Sequence, residues 1–319
     1  MSDNQINYLA SDQEGDYAIS PRLRSFGRNL FRFPLIQALR PRVMKSLSVT
    51  RTLGKIFVKD VPDRQYDCHC ETITVISANL WHDFPLYRRL EERLETFANL
   101  AEEEKADILL LQEVARKEDM HVDEWLSQRL GMSYVYSRAN GHGAIGFEEG
   151  LAILSRFPIK EPQLRQLSNP TNPFVRRVVL GADVETPCGV IRAYSVHLGI
   201  GSKDNQNQQN LLRQIVDEIA HLQPTVVGGD FNASEASPQI KQIKAGWLDT
   251  FRHLHPTADG YTHSIRLPWG GILNRHRLDY IFLLPNKLEW NVLETRHIST
   301  PGKAHSDHCA VLTRLAPVV

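Results

Sequence analysis

The stretch best equipped for chemistry is Gly228-Gly229-Asp230-Phe231-Asn232, which closes the β-branched run Pro224-Thr225-Val226-Val227. In an extended segment residues i and i+2 point to one side, so the Asp230 carboxylate and the Asn232 carboxamide share a surface. The glycines let the backbone turn there or let a ligand come close. A strand ending in an acid and an amide is a common way to build a hydrolytic site. Gly-Asp-x-Asn also makes an ordinary Asx turn, so the pair alone leaves both readings open.

Other apolar runs end the same way. Thr72 to Ala78 alternates like a strand and finishes on Asn79, and Ala106 to Gln112 is a buried-strand run finishing on Glu113. Val190 to Ser195 leads to His197, while Asp279 and the pair Asp307-His308 flank two further apolar runs. Convergence of these ends would assemble carboxylates, two amides and two imidazoles. That inventory suits Mg²⁺, Mn²⁺ or Ca²⁺ better than zinc, because oxygen ligands dominate and no thiolate is included. Taken singly, each residue has a plainer role. Asn79 could cap a turn, Glu113 could be a surface acid, Asp279 could pair with Arg277, and His197 could be a core imidazole.

The elements that must position these groups alternate in type. Apolar spacing predicts helices over Leu86 to Glu104, His121 to Leu130, Asn207 to Leu222 and near Pro238 to Ala245. Strands are expected at Tyr134 to Arg138, Glu149 to Ile159, Phe174 to Val184, Leu278 to Leu284 and Cys309 to Leu315. The chain is 319 residues long, 42% hydrophobic and 23% charged, which is ordinary globular usage. No run reaches the ~18 apolar residues of a membrane span, and Met1 to Asp16 lacks the order of a secretory signal. The cysteines Cys68, Cys70, Cys188 and Cys309 are too few for a disulfide scaffold and are expected to be structural thiols of a reducing compartment.

A net charge of zero hides an uneven distribution. Tyr17 to Lys59 holds no acid and interleaves Arg22, Arg24, Arg28, Arg32 and further basic residues with Phe26, Phe31, Phe33 and Leu35. Such a segment suits an anionic membrane surface or nucleic acid, or docks on its own chain. Residues 1–70 are therefore expected to form a basic amphipathic extension, and 71–319 a catalytic domain.

The ordered set Asn79, Leu111-Gln112-Glu113-Val114, Gly150 to Arg156, Val196-His197-Leu198, Gly229-Asp230-Phe231-Asn232, Arg277-Leu278-Asp279-Tyr280-Ile281 and Ser306-Asp307-His308 closely resembles the endonuclease/exonuclease/phosphatase superfamily. That group includes DNase I, AP endonucleases, neutral sphingomyelinases and inositol polyphosphate 5-phosphatases. The resemblance covers Glu71 to Leu315 and implies a DNase I-like, four-layer α/β sandwich, two mixed sheets packed face to face with helices outside. It implies Glu113 as the principal metal ligand, with Asn79 and Asp307 near the metal or its waters. Asp230, held by Asn232, would orient or deprotonate the water. His308, paired with Asp279, would contact the phosphate, and His197 would bind phosphate or protonate the leaving group. His308 is the alternative base.

The substrate is less legible. Where AP endonucleases carry Tyr-x-Pro-Asn this chain has Ser195-Val196-His197-Leu198-Gly199, which is more similar to the DNase I, sphingomyelinase and phosphatase branches. The basic extension and the stretch Leu267-Pro268-Trp269-Gly270-Gly271-Ile272-Leu273 favour a membrane-borne substrate, because an aromatic tip suits a bilayer interface, although the same stretch also reads as a hairpin whose Trp269 packs back on the protein. Arg177, Arg277 and Trp269 are the expected substrate contacts. The leading expectation is thus a metal-dependent phospholipid or sphingolipid headgroup phosphodiesterase, cytoplasmic and peripheral at the membrane. A Mg²⁺-dependent nuclease is the alternative, and a non-catalytic binding module on the same fold is a second one.

Overall fold

A computed structural model describes residues 54–61, 71–84, 86–142, 147–167, 176–266, 271–284, 290–300 and 302–318. Trp269, Cys68, Cys70 and the basic stretch up to Arg51 lie outside them. In chain order the first half comprises β1 (Ile56–Lys59), β2 (Ile73–Asn79), α1 (Leu90–Glu103), β3 (Ile108–Lys117), β4 (Met120–His121), α2 (Val122–Leu130), β5 (Ser133–His142), β6 (Phe147–Ser155) and β7 (Ile159–Gln166). Then follow β8 (Val178–Thr186), β9 (Gly189–His197), α3 (Ser202–Ala220), β10 (Thr225–Asp230), α4 (Pro238–Lys244), β11 (Leu248–Asp249) and α5 (Thr250–Leu254). The chain ends with β12 (His263–Arg266), β13 (Ile272–His276), β14 (Asp279–Leu284), β15 (Trp290–Ile298) and β16 (Ala310–Pro317).

Two sheets carry the fold. One runs β1-β5-β6-β3-β2-β16-β15, with β4 on the end of β3, and the other runs β11-β14-β10-β9-β8-β7. Pairing is antiparallel except for β2 with β3 and β9 with β10. The central strands are buried on both faces, as all seven residues of β2 and all six of β10 are, so they read as continuous apolar runs. Between the sheets Val75, Leu110 and Ile153 of the first meet Leu180, Ala193, Val226 and Ile281 of the second. Outside the first sheet pack Leu94 and Phe97 of α1 and Leu126 of α2; outside the second pack Leu212 and Val216 of α3 and Ile240 of α4. These are the four layers of an α/β sandwich.

Three expectations change. Helix α1 begins at Leu90 and not at Leu86, because Tyr87 and Arg89 adopt left-handed φ of 48° and 53° that a right-handed helix cannot contain. The boundary placed at 70/71 falls too late, because β1 already pairs with β5 as the edge of the first sheet. All four β1 residues are exposed, so the strand has no alternating pattern to betray it. Cys309 is a free thiol, but Cys188 is disulfide-bonded, which overturns the all-thiol reading. No described helix is long and apolar enough to cross a membrane.

Candidate active site

The topology brings the polar strand ends to one edge of the sandwich. Asn79 ends β2 beside Gln112 of the parallel β3, and His197 ends β9 in register with Asp230 at the end of β10. β14 runs the other way, so its first residue, Asp279, lies opposite Asp230. His308 precedes β16, which is antiparallel to β2. Residues spread over more than two hundred positions therefore meet because the C-terminal ends of two parallel pairs and the N-terminal ends of two antiparallel neighbours coincide.

Asn79 ties the sheets together here. Its Nδ2 donates to Glu113 Oε1 at 3.1 Å and to Asp230 Oδ2 at 3.3 Å, while Oδ1 accepts from the Trp81 N–H. Glu113 sits at a bulge where the β3–β6 register shifts between Leu111 and Val114, and its φ is 53°. Left-handed backbone at a non-glycine residue costs free energy and persists where the surroundings impose it, often at a functional site; here the bulge turns the carboxylate toward Asn79. Asp230 Oδ1 accepts from the Asn232 N–H at 2.8 Å, and Asn232 in turn donates through Nδ2 to Leu198 O. The amide thus holds Asp230 through its backbone, with its side chain securing the neighbouring strand. Asp279 Oδ2 lies 2.8 Å from His308 Nδ1, and the Asp279 N–H donates to Thr262 Oγ1. Asp307 is exposed at the rim and accepts from Ser306 Oγ.

Electrostatically the site is a crowd of carboxylates. Burial pushes Asp230 up to about 7, with the Asp279 charge adding to it and His308 opposing. Burial likewise raises Glu113, opposed by His82 and reinforced by Glu149 and Asp307. Burial would lower His308, but Asp279 and Asp230 outweigh it and hold the imidazole well above its usual range, so it is an imidazolium at neutral pH. His197 goes the other way, held well below its usual range by burial and by Arg177. One carboxylate oxygen, Asp279 Oδ1, is buried with no hydrogen-bond partner among the described residues. Asp230, Asp279 and His308 offer ligand atoms within 4.8 Å of one another. Glu113 is a buried carboxylate further disfavoured by the Glu149 and Asp307 charges, which a divalent cation would relieve, so Glu113, Asn79 and Asp307 fit the Mg²⁺-type ion that their chemistry suggested.

Three site residues carry no role in the sequence reading. His82 lies between two acids, with Nε2 3.6 Å from Glu113 and 3.7 Å from Glu149. Glu149 also faces His197 Nδ1 at 3.8 Å, and the surrounding His82, His197 and Arg177 overcome its burial to bring it to about 2. His263, on β12, packs its ring against that of His308, with centroids 4.5 Å apart and planes tilted by 35°. His82 and His263 leave no strand-end signature, being placed by a loop and by a separate hairpin. Glu149 sits at the start of a run that reads only as a strand. Arg93 of α1 is buried and braces the rim, donating to Leu80 O at 2.9 Å and His305 O at 3.4 Å, the backbones leading to His82 and to Asp307.

The expected substrate contacts divide. Arg177 is buried within electrostatic reach of Glu149 and His197. Arg277 is corrected: its guanidinium donates to both Asp249 oxygens at 2.6 and 2.8 Å, faces Glu235 and stacks over Phe251 and Tyr280. It is 4% exposed and braces β11 against β14, so it has no free face for a substrate. The partner imagined for Asp279 is therefore His308 and not Arg277.

Fold and site together define a DNase I-like α/β sandwich with an acid, amide and imidazole cluster at one end. The chain belongs to the Endonuclease/Exonuclease/phosphatase family, whose profile matches residues 76–308. It is 30% identical over 169 residues to the uncharacterized protein YbhP of Escherichia coli strain K12, covering 47% of this chain and 63% of that protein, less than two thirds of its length. Among solved structures, an endonuclease/exonuclease/phosphatase family protein from Leptotrichia buccalis superposes with a TM-score of 0.63 at 18% identity, covering 76% of this chain and 99% of that one. D. rerio TDP2, solved with a single-strand DNA product, superposes with a TM-score of 0.59 at 20% identity over 76% and 98% of the two chains. At these identities the structural likenesses establish the fold.

Proposed function

We propose that this chain is a divalent-cation-dependent phosphodiester hydrolase. The observation that carries the reading is the meeting of Asn79, Glu113, Asp230 and the Asp279–His308 pair at one end of the sandwich, with carboxylate charge in excess of its partners. Glu113, Asn79 and Asp307 are the proposed cation side. A cation bound there would supply positive charge to the non-bridging phosphate oxygens.

The chain's own groups divide the remaining tasks. Asp230 has Oδ1 fixed by the Asn232 N–H and turns Oδ2 toward Asn79 and His197. It is the proposed proton acceptor for the attacking water, and an acid raised to about 7 is matched to that work near neutral pH. The His308 imidazolium, oriented by Asp279, carries its charge to the developing phosphorane, which makes it a poor base and a good electrostatic partner. His197, backed by Glu149, is placed to serve the departing oxygen, and Arg177 to add positive charge behind it.

For substrate class the leading reading remains a phospholipid or sphingolipid headgroup. It draws support from exposed Phe84 and Leu86 on the loop that carries His82, and from exposed Ile272 and Leu273 on the hairpin that carries His263. Nucleic acid is the second reading, favoured by the single-strand DNA product bound to the TDP2 relative in fold. A Mg²⁺-supplemented comparison of bis-p-nitrophenyl phosphate, sphingomyelin and phosphatidylcholine vesicles, and single-stranded DNA separates them. Cleavage that chelator and Glu113→Gln both abolish is expected. Hydrolysis unchanged in Glu113→Gln, or none with any divalent ion, would overturn the assignment.

A further inference from the structure

Helix α3 spends its first inward positions on amides. Its buried residues are Asn205, Gln208, Gln209, Leu212, Val216 and Ala220, so three polar side chains precede the apolar stripe that holds the helix to the second sheet. All three amides are 1% exposed. Burying an amide costs free energy unless it is hydrogen-bonded, so such a face needs partners. Asn205 finds them on two loops at once. Its Nδ2 donates to Gly199 O at 2.6 Å and to Phe231 O at 2.7 Å, while Oδ1 accepts from Gln209 Nε2 at 2.6 Å. Gln208 Oε1 accepts from the Gly199 N–H at 2.7 Å, so both backbone groups of Gly199 are bound by this helix face.

Gly199 lies two residues past His197, and Phe231 one past Asp230. β9 and β10 stay in register up to the His197–Asp230 pair, and beyond it neither continues as a strand. What joins the two chains there is a short set of bonds: the Leu198 N–H donates to Asp230 O, Asn232 Nδ2 donates to Leu198 O, and Asn205 Nδ2 spans both loops. We infer that Asn205, braced by Gln209 and helped by Gln208, is a positioning residue that sets how His197 stands relative to Asp230, whose Nε2 and Oδ2 are 3.6 Å apart. It acts through the backbone and not by contact with the reacting groups. The proposed cation side lies on the first sheet and just before β16, away from this clamp. The inference rests on the hydrolase reading for its chemical meaning, but the clamp itself is measurable without turnover.

The test uses the full chain carrying Asn205→Ala, His197→Ala or both, with methyl p-nitrophenyl phosphate and methyl phenyl phosphate in Mg²⁺. Unsubstituted phenolate is the poorer leaving group, so its departure depends more on His197. Asn205→Ala is expected to lower kcat by about 10²-fold on the phenyl ester, the scale of a misplacement of about 1 Å, and by less on the nitrophenyl ester, with KM unchanged. In the His197→Ala background it should add no more than about twofold, because residues acting through one another do not add. Equal losses on both esters and in both backgrounds, or a fully active His197→Ala, overturn the inference. Hydrogen exchange followed by NMR in the metal-free chain reads the clamp directly. The Leu198 and Asn232 amides should exchange at least about tenfold faster in Asn205→Ala, with Tyr194 and Val227 inside the strands unchanged. Gln208→Met removes only the acceptor of the Gly199 N–H and should give the same pattern at smaller amplitude, so a folding failure of the alanine variant leaves the test standing. Unchanged exchange at Leu198 and Asn232 in the folded variants also overturns the clamp. Failure of the hydrolase reading shows separately, as wild type that cleaves neither ester, and the exchange measurement then decides the clamp alone.

Discussion

Asp230 is held in a position that disfavours its own charge. Its folded value of about 7 lies above the ordinary 3.8, so between those values the native chain binds more protons than the unfolded one. With native protonation in excess, stability of the metal-free chain falls as pH rises through that window. Asp230→Asn removes the term. The metal-free variant is expected to be more stable than wild type at about pH 7.5 by about 1–3 kcal/mol, with the difference shrinking toward about pH 4. Its activity should drop by about 10²-fold or more, the usual share of a positioned proton acceptor. Urea melts in chelator at both pH values, with turnover of bis-p-nitrophenyl phosphate, check it; a variant that is less stable at both would refute the electrostatic account. Residues like Asp230, Asn79 and Glu113 could be read in advance because each closes an apolar run of the sequence and is the wrong type to bury, although β3 continues past Glu113 to Lys117 through a bulge. His82, Glu149 and His263 could not. Their roles depend on how a loop, a register and a hairpin fall in space, and their local sequence gives no sign of this.

At the scale of elements, β10 shows how closely backbone packing and chemistry are joined. A Cβ on Gly229 would lie 2.0 Å from Val196 O of β9, and one on Gly228 would meet Leu110 Cδ1 of the opposite sheet at 2.6 Å. Gly229→Ala must therefore push β10 from β9 and carry Asp230 away from His197. A loss of about 1–3 kcal/mol is expected from such overpacking, with activity lost beyond what the fall in folded fraction explains. Denaturation midpoints and turnover by the folded fraction measure both. At the edge, β1 places Phe57 over the Arg116 guanidinium at 4.3 Å, and Arg116 in turn pairs with buried Asp123. Deleting 1–53 should leave this intact, whereas deleting 1–70 uncovers it and should lower the melting midpoint by about 2–8 °C, equivalent to about 1–2 kcal/mol in a domain of this size. Equal midpoints for the two truncations would return the domain boundary to 70/71. Strands such as β2 and β10 were legible because burial on both faces leaves an apolar run. β1, the Pro162-bearing β7 and the β12–β13 hairpin were not, because exposed or edge strands need no such pattern.

For the whole molecule, two sheets packed face to face drive Glu113, Glu149, Asp230, Asp279 and Asp307 toward one opening. The four-layer architecture was legible through the family resemblance that the polar strand ends carry, since the elements alone gave only a mixed pattern of strands and helices. The resulting charge balance was not, since it depends on which carboxylates find His82, His197 or His308. One member of this crowd, Asp230, is raised to about 7 and so holds a proton near neutrality that the charge of a cation bound beside it would help displace, and burial raises Glu113 in the same direction. Cation binding should therefore release protons at about pH 6.5, and the release should fade above about pH 8, where Asp230 is already ionised. Affinity should climb with pH over the same interval, because ionised Asp230 attracts a nearby cation and protonated Asp230 does not. Titration calorimetry of Mg²⁺ into the metal-free chain, repeated in buffers of different ionisation enthalpy, counts the protons directly. Thermal midpoints should rise with Mg²⁺ more at about pH 7.5 than at about pH 5, since the cation then relieves repulsion that protons relieve in acid. Binding with no buffer-dependent heat at about pH 6.5 would mean that the carboxylates at this opening are ionised without a cation. The counter-charge would then have to come from the protein itself, with His82, Arg93, Arg177 and His308 as evident sources among the described residues.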